Sequence, residues 1–597
     1  ILTGSTVNIN PYAAMMSSFS ESNYSTINAS LRISQELDFI TKGLSATVLV
    51  NMKSHSSSSY TNTLSPYFYK VMDYTWDPSD PEFFYLELLQ KGTDYIKQGT
   101  INRYSDRTFY FDARVNYNRR FGEDHTVSGM LMYMQREYRS DVLPQRNQGL
   151  SGRFTYDYQN KYFAEFNFGY NGTERLASGH RFEFFPAMSL GWAVSNESFW
   201  EPLSTAVTHF KIRGSYGLVG SDETGLLAGA AHFLYINNVN IDGSGIFSTG
   251  PYDGVYISKK GPGIEGYAVE NASWERAKKF DIGVDLNLFD QVSITFDYFH
   301  DRRDRILQKR GSWPVIMGYA HATPWSNIGK VDNKGFELSV NWKKEIIKDM
   351  FVDLRGNFTY TQNKYVYNDE PDYPYVWQTK TGKPLSCTYG YIADGLFEDE
   401  DDIRNSPSQK NLGSTVMPGD IKYRDVNGDG AITTEDQVML SRYGGIPRIQ
   451  YGFGLNWTYK NIDFGVFFNG SAQRTLMIDN IAPFCSDVGN QDRNLMKFIA
   501  DNYWSEASPN PEAAYPRLGV NNSQVANNMK PSSFWMRNGN FLRFKTLELG
   551  YSFSFCRIYL SGDNLAVWSP FKLWDPELSY SAYPLQRAIN IGAQFTF

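Results

Sequence analysis

The stretch that decides the fold is Lys278–His300, which reads KKFDIGVDLNLFDQVSITFDYFH. Polar residues such as Asp281, Asp285 and Asp297 alternate with apolar ones on both sides of a break at Phe289-Asp290. Alternation with a period of two places successive side chains on opposite faces of a strand. The stretch therefore predicts two antiparallel strands joined by a tight turn. Its apolar positions are Phe280, Ile282, Val284, Leu286, Leu288, Val292, Ile294, Phe296 and Tyr298.

The same alternation recurs along most of the chain and predicts an all-β protein of about seventeen strands. Most are about 10–14 residues long, which is enough to cross a bilayer at a tilt. The strands are expected at 23–36, 43–52, 107–119, 124–138, 150–158, 161–171, 182–194, 207–219, 275–288, 291–303, 329–343, 350–363, 449–459, 462–472, 541–552, 555–564 and 587–597.

The connections between these strands alternate between short and long. Short turns are expected at Phe121-Gly122-Glu123, Gln159-Asn160 and Lys460-Asn461. A soluble sandwich has no reason for this asymmetry, whereas outer-membrane barrels have short periplasmic turns and long outer loops. The sequence therefore predicts a transmembrane antiparallel β-barrel. Its long extracellular loops are expected at 53–106, 220–273, 364–447 and 473–540.

The composition of the 597-residue chain fits this fold class. Aromatic residues make up 16%, yet the mean hydropathy is −0.45, because the apolar side chains are spread among polar ones. The net charge of −7 argues against a nucleic-acid partner, since phosphate contacts need a basic surface. Three Cys without CxxC spacing and seven His without an HExxH motif indicate neither a disulfide framework nor a zinc site. We expect no enzymatic activity and no organic cofactor.

Strand parity predicts that the chain is part of a longer protein. A bacterial barrel closes with an even number of strands because both of its ends are periplasmic. The first expected strand runs down into the turn at Phe39–Gly43, and the last, which ends in Phe597, finishes on the same side. We therefore expect an odd number of strands before Ile1.

Several blocks of sequence resemble the SusC/RagA family of TonB-dependent transporters. They follow one another in the family's order between Arg146 and Phe597, and together they are far more specific than a single short motif. The blocks are RNQGLSGRFTYDYQNKYFAEFNFGYNGTERLASGHRFEFFPAMSLGWAVSNESFW (146–200), FKIRGSYGLVGSD (210–222), WERAKKFDIGVDLNLF (274–289), NIGKVDNKGFELSVNW (327–342), PGDIKYRDVNGDGAITTEDQ (418–437), RYGGIPRIQYGFGLNW (442–457), FLRFKTLELGYSFS (541–554) and RIYLSGDNLAVWS (557–569).

The resemblance implies the location, the partners and the missing parts of the protein. It implies an outer-membrane barrel of 22 strands in a Bacteroidetes-type bacterium, of which the seventeen expected here would be part. Family members also carry a plug domain and a TonB box, and nothing in Ile1–Ser140 resembles a plug. The implied partners are a SusD-like surface lipoprotein, TonB acting through the missing region, and outer-membrane lipid.

The function that the resemblance implies is import of a large nutrient, with an oligosaccharide as the first expectation. Peptides and ligands of the siderophore or cobalamin type are alternatives, because their importers share the barrel and the TonB coupling. A passive porin has a similar number of strands, about sixteen to eighteen. A secreted carbohydrate-binding or lyase β-protein is a further alternative, which detergent-dependent extraction would exclude.

Residues 425–436 of the long loop at 364–447 read DVNGDGAITTED and fit an EF-hand-like calcium loop. Oxygen ligands at positions 1, 3, 5, 7 and 12 and a glycine at position 6 are the requirements of such a loop. Position 12 is Asp rather than the longer Glu, and an Asx-rich turn without an ion is the alternative. A structural Ca²⁺ is therefore expected on Asp425, Asn427, Asp429, the carbonyl of Ala431, and Asp436.

Aromatic residues are dense in the expected outer loops. Sugar rings stack on such side chains, which also carry polar atoms. The alternatives are packing within the loops and the aromatic girdle at the membrane interface. The candidates for substrate contact are Trp76, Tyr373, Tyr375, Trp377, Trp504 and Trp535.

Overall fold

The computed structural model of the chain describes most of its residues. These are residues 2–3, 6–7, 11–73, 85–141, 143–223, 233–249, 257–314, 316, 324–481, 484, 495–519, 522–580 and 582–596.

Long antiparallel strands dominate the described residues. They are β1 Ser18–Glu36, β2 Leu44–Thr63, β3 Asn102–Phe121, β4 His125–Arg139, β5 Gln145–Tyr158, β6 Tyr162–Thr173, β7 Phe182–Ala193, β8 Val207–Ser221, β9 Glu275–Leu288, β10 Val292–Lys309, β11 Trp325–Ile347, β12 Met350–Tyr367, β13 Ile449–Tyr459, β14 Ile462–Ala472, β15 Phe541–Ser552, β16 Cys556–Trp568 and β17 Ala588–Phe595.

Shorter elements lie between the long strands. None of the described helices has the length and apolar character that a membrane crossing requires. The α-helices are Pro11–Ser17, Glu400–Asn405 and Lys497–Ala500. The short paired strands are Leu2–Thr3 with Thr6–Val7, Phe68–Asp73 with Tyr85–Gln90, Asn238–Thr249 with Ile257–Gly266, Thr388–Gly390 with Val438–Ser441, Ala393–Leu396 with Ile421–Tyr423, and Thr475–Met477 with Met536–Asn538.

The chain divides into two compact units. The first comprises Ile1–Arg119, Ser128–Gly152 and Gly169–Arg175, and in it β2 pairs with β1 and β3. The second comprises Arg120–Val127, Arg153–Phe168 and Leu176–Phe597. In the second unit β7 to β17 form a continuous antiparallel sheet in which each strand pairs with the next.

Every strand expected from the sequence overlaps one of the long strands, so the all-β antiparallel prediction is confirmed. The tight turns are confirmed as well. Gln159, Asn160, Phe289 and Asp290 have positive φ angles of 54°, 52°, 53° and 54°. Two successive residues with positive φ form the type I′ turn, whose twist matches that of the flanking strands.

The boundaries of several strands were wrong, and most of the errors fall at the ends that face the long loops. The strand expected at 43–52 continues to Thr63, and the strand expected at 107–119 begins at Asn102. The extension Lys53–Thr63 is almost entirely polar and therefore lacks the alternation on which the prediction depends. It still pairs in register with β1, because a hairpin needs backbone partners but does not need an apolar face.

The two faces of the sheet in the second unit differ in chemistry. One face carries the alternating apolar side chains, and these are solvent-exposed in the isolated chain: Phe280 is 42% exposed and Ile282 44%. The opposite face carries ion pairs that cross several strands. Arg213 of β8 donates to Asp297 of β10 at 2.8 Å and to Asp285 of β9 at 3.1 Å.

Gly283 allows the Arg213–Asp297 ion pair to form. Arg213, Gly283 and Asp297 are paired in register on three adjacent strands, so the two charged side chains meet directly above the glycine. A Cβ atom at Gly283 would lie 2.6 Å from Cζ of Arg213. Gly550 occupies the same place beneath the pair formed by Arg557 and Asp463. Glycine on the middle strand is therefore what lets charges two strands apart make contact.

Substituting Gly283→Ala is expected to destabilise the second unit by about 1–3 kcal/mol, because the methyl group displaces the ion pair from a tightly packed place. The matched control is Gly214→Ala on the neighbouring strand, where the nearest atom to a new Cβ is the Asp281 carbonyl oxygen at 3.7 Å. The measurement is the thermal unfolding midpoint of the complete protein in detergent. Equal midpoints for the two variants would contradict the role of Gly283.

Candidate functional site

The main hydrophobic core among the described residues lies in the long loops and not within the sheet. Loop segments on both sides of β13 and β14, together with residues after β16, enclose Trp535, which is fully buried. The fully buried residues of this loop core also include Ile421, Ile432, Phe484 and Ile499. A loop of this length can hold one shape only if it buries apolar surface of its own.

A buried ion pair joins two loop segments that are far apart in the chain. Asp420 has no exposed surface, and Nε of Arg517 lies 2.7 Å from its Oδ1. Asn528, which is 108 residues further along the chain, donates to the same oxygen at 2.8 Å. Burial raises the pKa of the Asp420 carboxyl, and the charge of Arg517 offsets part of that rise. The buried Asp420 carboxylate therefore holds the segments around Arg517 and Asn528 against its own segment of the loop core.

A second set of buried hydrogen bonds continues this connection. The amide nitrogen of Gln409 donates to the Ile421 carbonyl at 3.0 Å and to Oδ1 of Asn527 at 2.7 Å. Its amide oxygen accepts the Tyr423 N–H at 2.7 Å, and the Tyr423 hydroxyl donates to the Asn527 carbonyl at 2.8 Å. Burial also raises the pKa of this hydroxyl. Satisfied buried polar networks of this kind specify one arrangement of the chain.

The predicted metal loop lies on the edge of this core, and its acidic side chains bond to backbone N–H groups. Asp425 accepts from Gly428 at 2.7 Å and from Gly430 at 2.8 Å. Asp436 is fully buried and accepts from Val426 and Thr433, each at 2.8 Å.

Two further side chains of the loop bond in the same way. The side-chain oxygen of Asn427 accepts the Asp429 N–H at 3.1 Å, and Oδ1 of Asp429 accepts the Ala431 N–H at 2.8 Å. Among the residues that the structure describes, no three His, Cys, Asp or Glu side chains form a metal-binding group. The geometry fits the Asx-turn alternative directly, and calcium binding stays a prediction.

Two predicted aromatic residues lie beside this loop, and a third, Tyr373, is close to them in the sequence. The rings of Tyr375 and Trp377 stack with their centroids 4.6 Å apart and their planes 9° apart. Nε1 of Trp377 donates to the Glu435 carbonyl at 2.8 Å, which attaches the stacked pair to the loop. Tyr373 is partly exposed, with 37% of its surface accessible. Substrate contact by these three residues stays a prediction.

The prediction of substrate stacking is wrong for Trp504 and Trp535. Trp535 is enclosed by the loop core, and its Nε1 donates to the Asn528 carbonyl at 2.8 Å. Trp504 is 5% exposed and packs over Gly419, whose φ is +83°. An enclosed ring has no face for a sugar, so packing within the loops is the correct interpretation. Trp76 lies outside the described residues.

The polar face of the sheet contains residues that the sequence analysis did not single out. Arg213 and Asp281 line a cavity of about 550 Å³ together with Arg153, Glu165 and Lys211. Alternating Asp residues in the β9 sequence were the available signal, but the side chains that they meet on other strands depend on register. This face offers closely spaced charges of both signs, which suits contact with a polar, hydrated molecule.

Comparisons with known proteins agree on one family. The family model described as TonB dependent receptor-like, beta-barrel matches residues 4–565. The TonB-dependent receptor P3 of Formosa agariphila is 26% identical over 468 residues, which are 74% of this chain and 43% of the relative. The TonB-dependent receptor SusC of Bacteroides thetaiotaomicron is 23% identical over 574 residues, which are 91% of this chain and 53% of the relative. The chain spans about half the length of these curated relatives.

A solved structure shows the same fold. The chain matches the RagAB peptide importer in its open-open state with a TM-score of 0.70 and 18% sequence identity. The match covers 98% of this chain and 62% of that chain. At this identity the match concerns the fold alone.

Substituting Asp436→Asn is expected to destabilise the loop by about 1–3 kcal/mol, because an amide nitrogen replaces one acceptor oxygen and leaves a buried N–H unpaired. The readouts are the thermal midpoint and the rate of proteolytic cleavage between residues 425 and 436. Asp401→Asn is the matched control, since that carboxylate is 72% exposed and forms an ion pair with Arg404. A cleavage rate as slow as that of the control would contradict the capping role.

Proposed function

The chain belongs to the TonB-dependent receptor-like β-barrel family, and on that premise we propose that it forms the wall and outer loops of a nutrient importer. Membership in this family of outer-membrane proteins confirms the predicted barrel fold class and the predicted location. We assign energised import, driven by TonB, to the complete protein. The role is transport and not catalysis.

The observation that carries the proposal is the family match over residues 4–565, which takes in nearly all the long strands. The two faces of the sheet support it. In a barrel of this kind the apolar face meets lipid and the polar face lines the interior. The interior wall would then carry Arg213, Asp281, Asp285 and Asp297, and a polar solute could pass along it.

The nutrient that we propose is an oligosaccharide. Support comes from the stacked rings of Tyr375 and Trp377 and from Tyr373, which lie in an outer loop beside a rigid core. Flat aromatic faces with polar edges suit sugar rings. RagAB is described as a peptide importer, and a peptide is therefore the alternative that the uptake experiment must separate.

The partner that we propose is a SusD-like surface lipoprotein. Support comes from the similarity to SusC and from the fold shared with the RagAB peptide importer. The described parts of the outer loops at 222–274, 368–448 and 473–540 supply the surface, because they belong to the long connections of the second unit on the side away from its tight turns. A loop surface that is held by its own core needs no ordering when a partner binds, which favours association.

We also propose that the loop at 425–436 binds a structural Ca²⁺. The support is the spacing of Asp425, Asn427 and Asp429, which already share one turn, with the Ala431 carbonyl and Asp436 completing the set. Each carboxylate oxygen that accepts an N–H keeps a second lone pair for a cation. Bound calcium would neutralise neighbouring carboxylates and stiffen the loop that holds Trp377.

Deleting the gene for the complete protein is expected to abolish growth on one class of oligosaccharide and to leave growth on peptides unchanged. Restoring the gene with Tyr375→Ala and Trp377→Ala should give uptake about thirtyfold slower, because a lost stacking contact costs about 1 kcal/mol per ring and the variant loses two rings. Uptake of labelled glycan and of labelled peptide is the measurement. The control is Tyr583→Ala, an outer-loop tyrosine that is 79% exposed and outside the predicted set.

Loss of peptide uptake alone would contradict the oligosaccharide proposal. Equal uptake by the Tyr375/Trp377 variant and the control would contradict the role of the stacked rings. The tagged complete protein should also retain a surface lipoprotein through purification. Its consistent absence would contradict the partner proposal.

Adding Ca²⁺ to chelator-treated protein is expected to raise the thermal midpoint. At a hundredfold excess over Kd the gain would be about 2.7 kcal/mol. Asp425→Asn combined with Asp429→Asn should lose this response, whereas Asp401→Asn should keep it. The measurement is the midpoint with and without calcium, together with isothermal titration. An unchanged midpoint in the parent protein would contradict calcium binding.

A further inference from the structure

The membrane-facing side of the sheet changes from aromatic to cationic within a few residues along β9 to β12. Tyr298, Phe336 and Tyr360 are paired in register on three adjacent strands. Two residues further toward the long loops, His300 pairs with Lys334. Paired residues share a face, and so do residues two apart in a strand. The positions beyond the aromatic row are therefore on the same outward surface.

The height of this change matches the outer edge of the bilayer. Val292 lies just after the tight turn at Phe289-Asp290, and Tyr298 is six residues further along β10. At about 3.3 Å per residue and a strand tilt of about 40°, Tyr298 stands about 15 Å above Val292. Arg302, ten residues after Val292 on the same strand, stands about 25 Å above it, which equals the height of the apolar band of an outer-membrane barrel. Lys334 and Arg302 follow directly above, at the level of the outer-leaflet headgroups.

Positive charge predominates on this surface. Nζ of Lys278 lies 3.1 Å from Asp304, and Nε of Arg302 lies 3.6 Å from Asp332. Among the described residues no carboxylate lies within 4.0 Å of the Lys334 ammonium group. The cationic side chains are Arg276, Lys278, Arg302, Arg305, Lys330, Lys334 and Lys364, and the carboxylates facing them are Glu183, Asp304 and Asp332.

A groove in this surface supplies a place for a bound group. Its volume is about 540 Å³, and Arg276, Lys278, Arg305, Lys330 and Tyr367 contribute to its lining. Arg276 and Arg305 share the Glu183 carboxylate. Nε of Arg276 is buried and has no hydrogen-bond acceptor among the described residues. A buried guanidinium N–H without an acceptor is costly, and an oxygen of a bound anion would satisfy it.

We propose that this surface binds the phosphate-bearing headgroup of an anionic lipid in the outer leaflet. The acyl chains would lie against the apolar face below, near Tyr298 and Phe336, while the phosphates meet Lys278, Arg302 and the groove. Basic clusters at this depth attract anionic headgroups. The acyl chains anchor the lipid in the membrane and so raise the concentration of phosphate groups next to the basic surface. The inference depends on the outer-membrane location and not on the transported nutrient, so a failed uptake experiment leaves it unaffected.

The test uses the complete protein in detergent and diphosphoryl lipid A as the probe, with bound lipid counted by native mass spectrometry. The variant is Lys278→Gln with Arg302→Gln, two residues paired on the outward face. The matched control is Lys279→Gln with Arg303→Gln, their chain neighbours on the opposite face. Retention by the outward variant should fall roughly fivefold for each removed charge. The control should retain as much lipid as the parent.

Several results would overturn the proposal. Equal retention by the outward variant and the parent would do so, as would an equal loss in the control. Dephosphorylated lipid A should show no difference between the two variants, and a difference would remove phosphate as the recognised group. Displacement of the lipid by inorganic phosphate at the same concentration would show a site for free phosphate and not for a lipid. Normal thermal midpoints in both variants are required, and they confirm that each has folded.

Discussion

Hydrogen bonding of the backbone is the constraint on which the structure depends. A chain in the hydrocarbon layer has no water to bond its N–H and C=O groups, so each strand must find its partners in a neighbour. In the second unit, β7 to β17 satisfy this requirement through uninterrupted antiparallel pairing. The pairing gives side chains a period of two, so one face can be apolar and the other polar. It also leaves little room for a core within the sheet, and the outer loops build a separate one around Trp535.

The need to pair backbone groups within the membrane also decides how much of the fold can be predicted from the sequence. Strands such as β9 and β10 were placed from the sequence because the membrane enforces alternation wherever lipid contacts the chain. The outer part of β2, Lys53–Thr63, was not predicted, because a strand beyond the membrane does not need to alternate apolar and polar side chains. Parts of the candidate site were predicted for a similar reason: the spacing of the 425–436 loop is local and can be read directly. The burial of Trp535 depends on segments more than a hundred residues away, and composition alone could not distinguish it from an exposed ring such as Tyr583.

Charge has different surroundings on the two faces of the same strands. On the polar face Arg213 lies among Asp281, Asp285 and Asp297, and Gly283 lets the pair form across an intervening strand. On the outward face cations follow directly after the aromatic row at Tyr298, with fewer carboxylates to balance them. In the first arrangement the cation has carboxylate partners on the neighbouring strands, which suits a polar wall that solutes pass. The second is open and requires negative charge from its surroundings.

The connection of Asp420 to Asn528 also bears on the order of folding. These residues are 108 positions apart, and β13 and β14 lie between them in the chain. Contacts of such high sequence separation form late, because the entropy cost of closing the intervening loop must be met before the contact contributes any stabilisation. Until β13, β14 and β15 have assembled, the apolar side chains around Trp535 have nothing to cover them. The spacing of these contacts along the chain therefore makes burial of the apolar loop surface around Trp535 depend on prior pairing of the strands between the two segments.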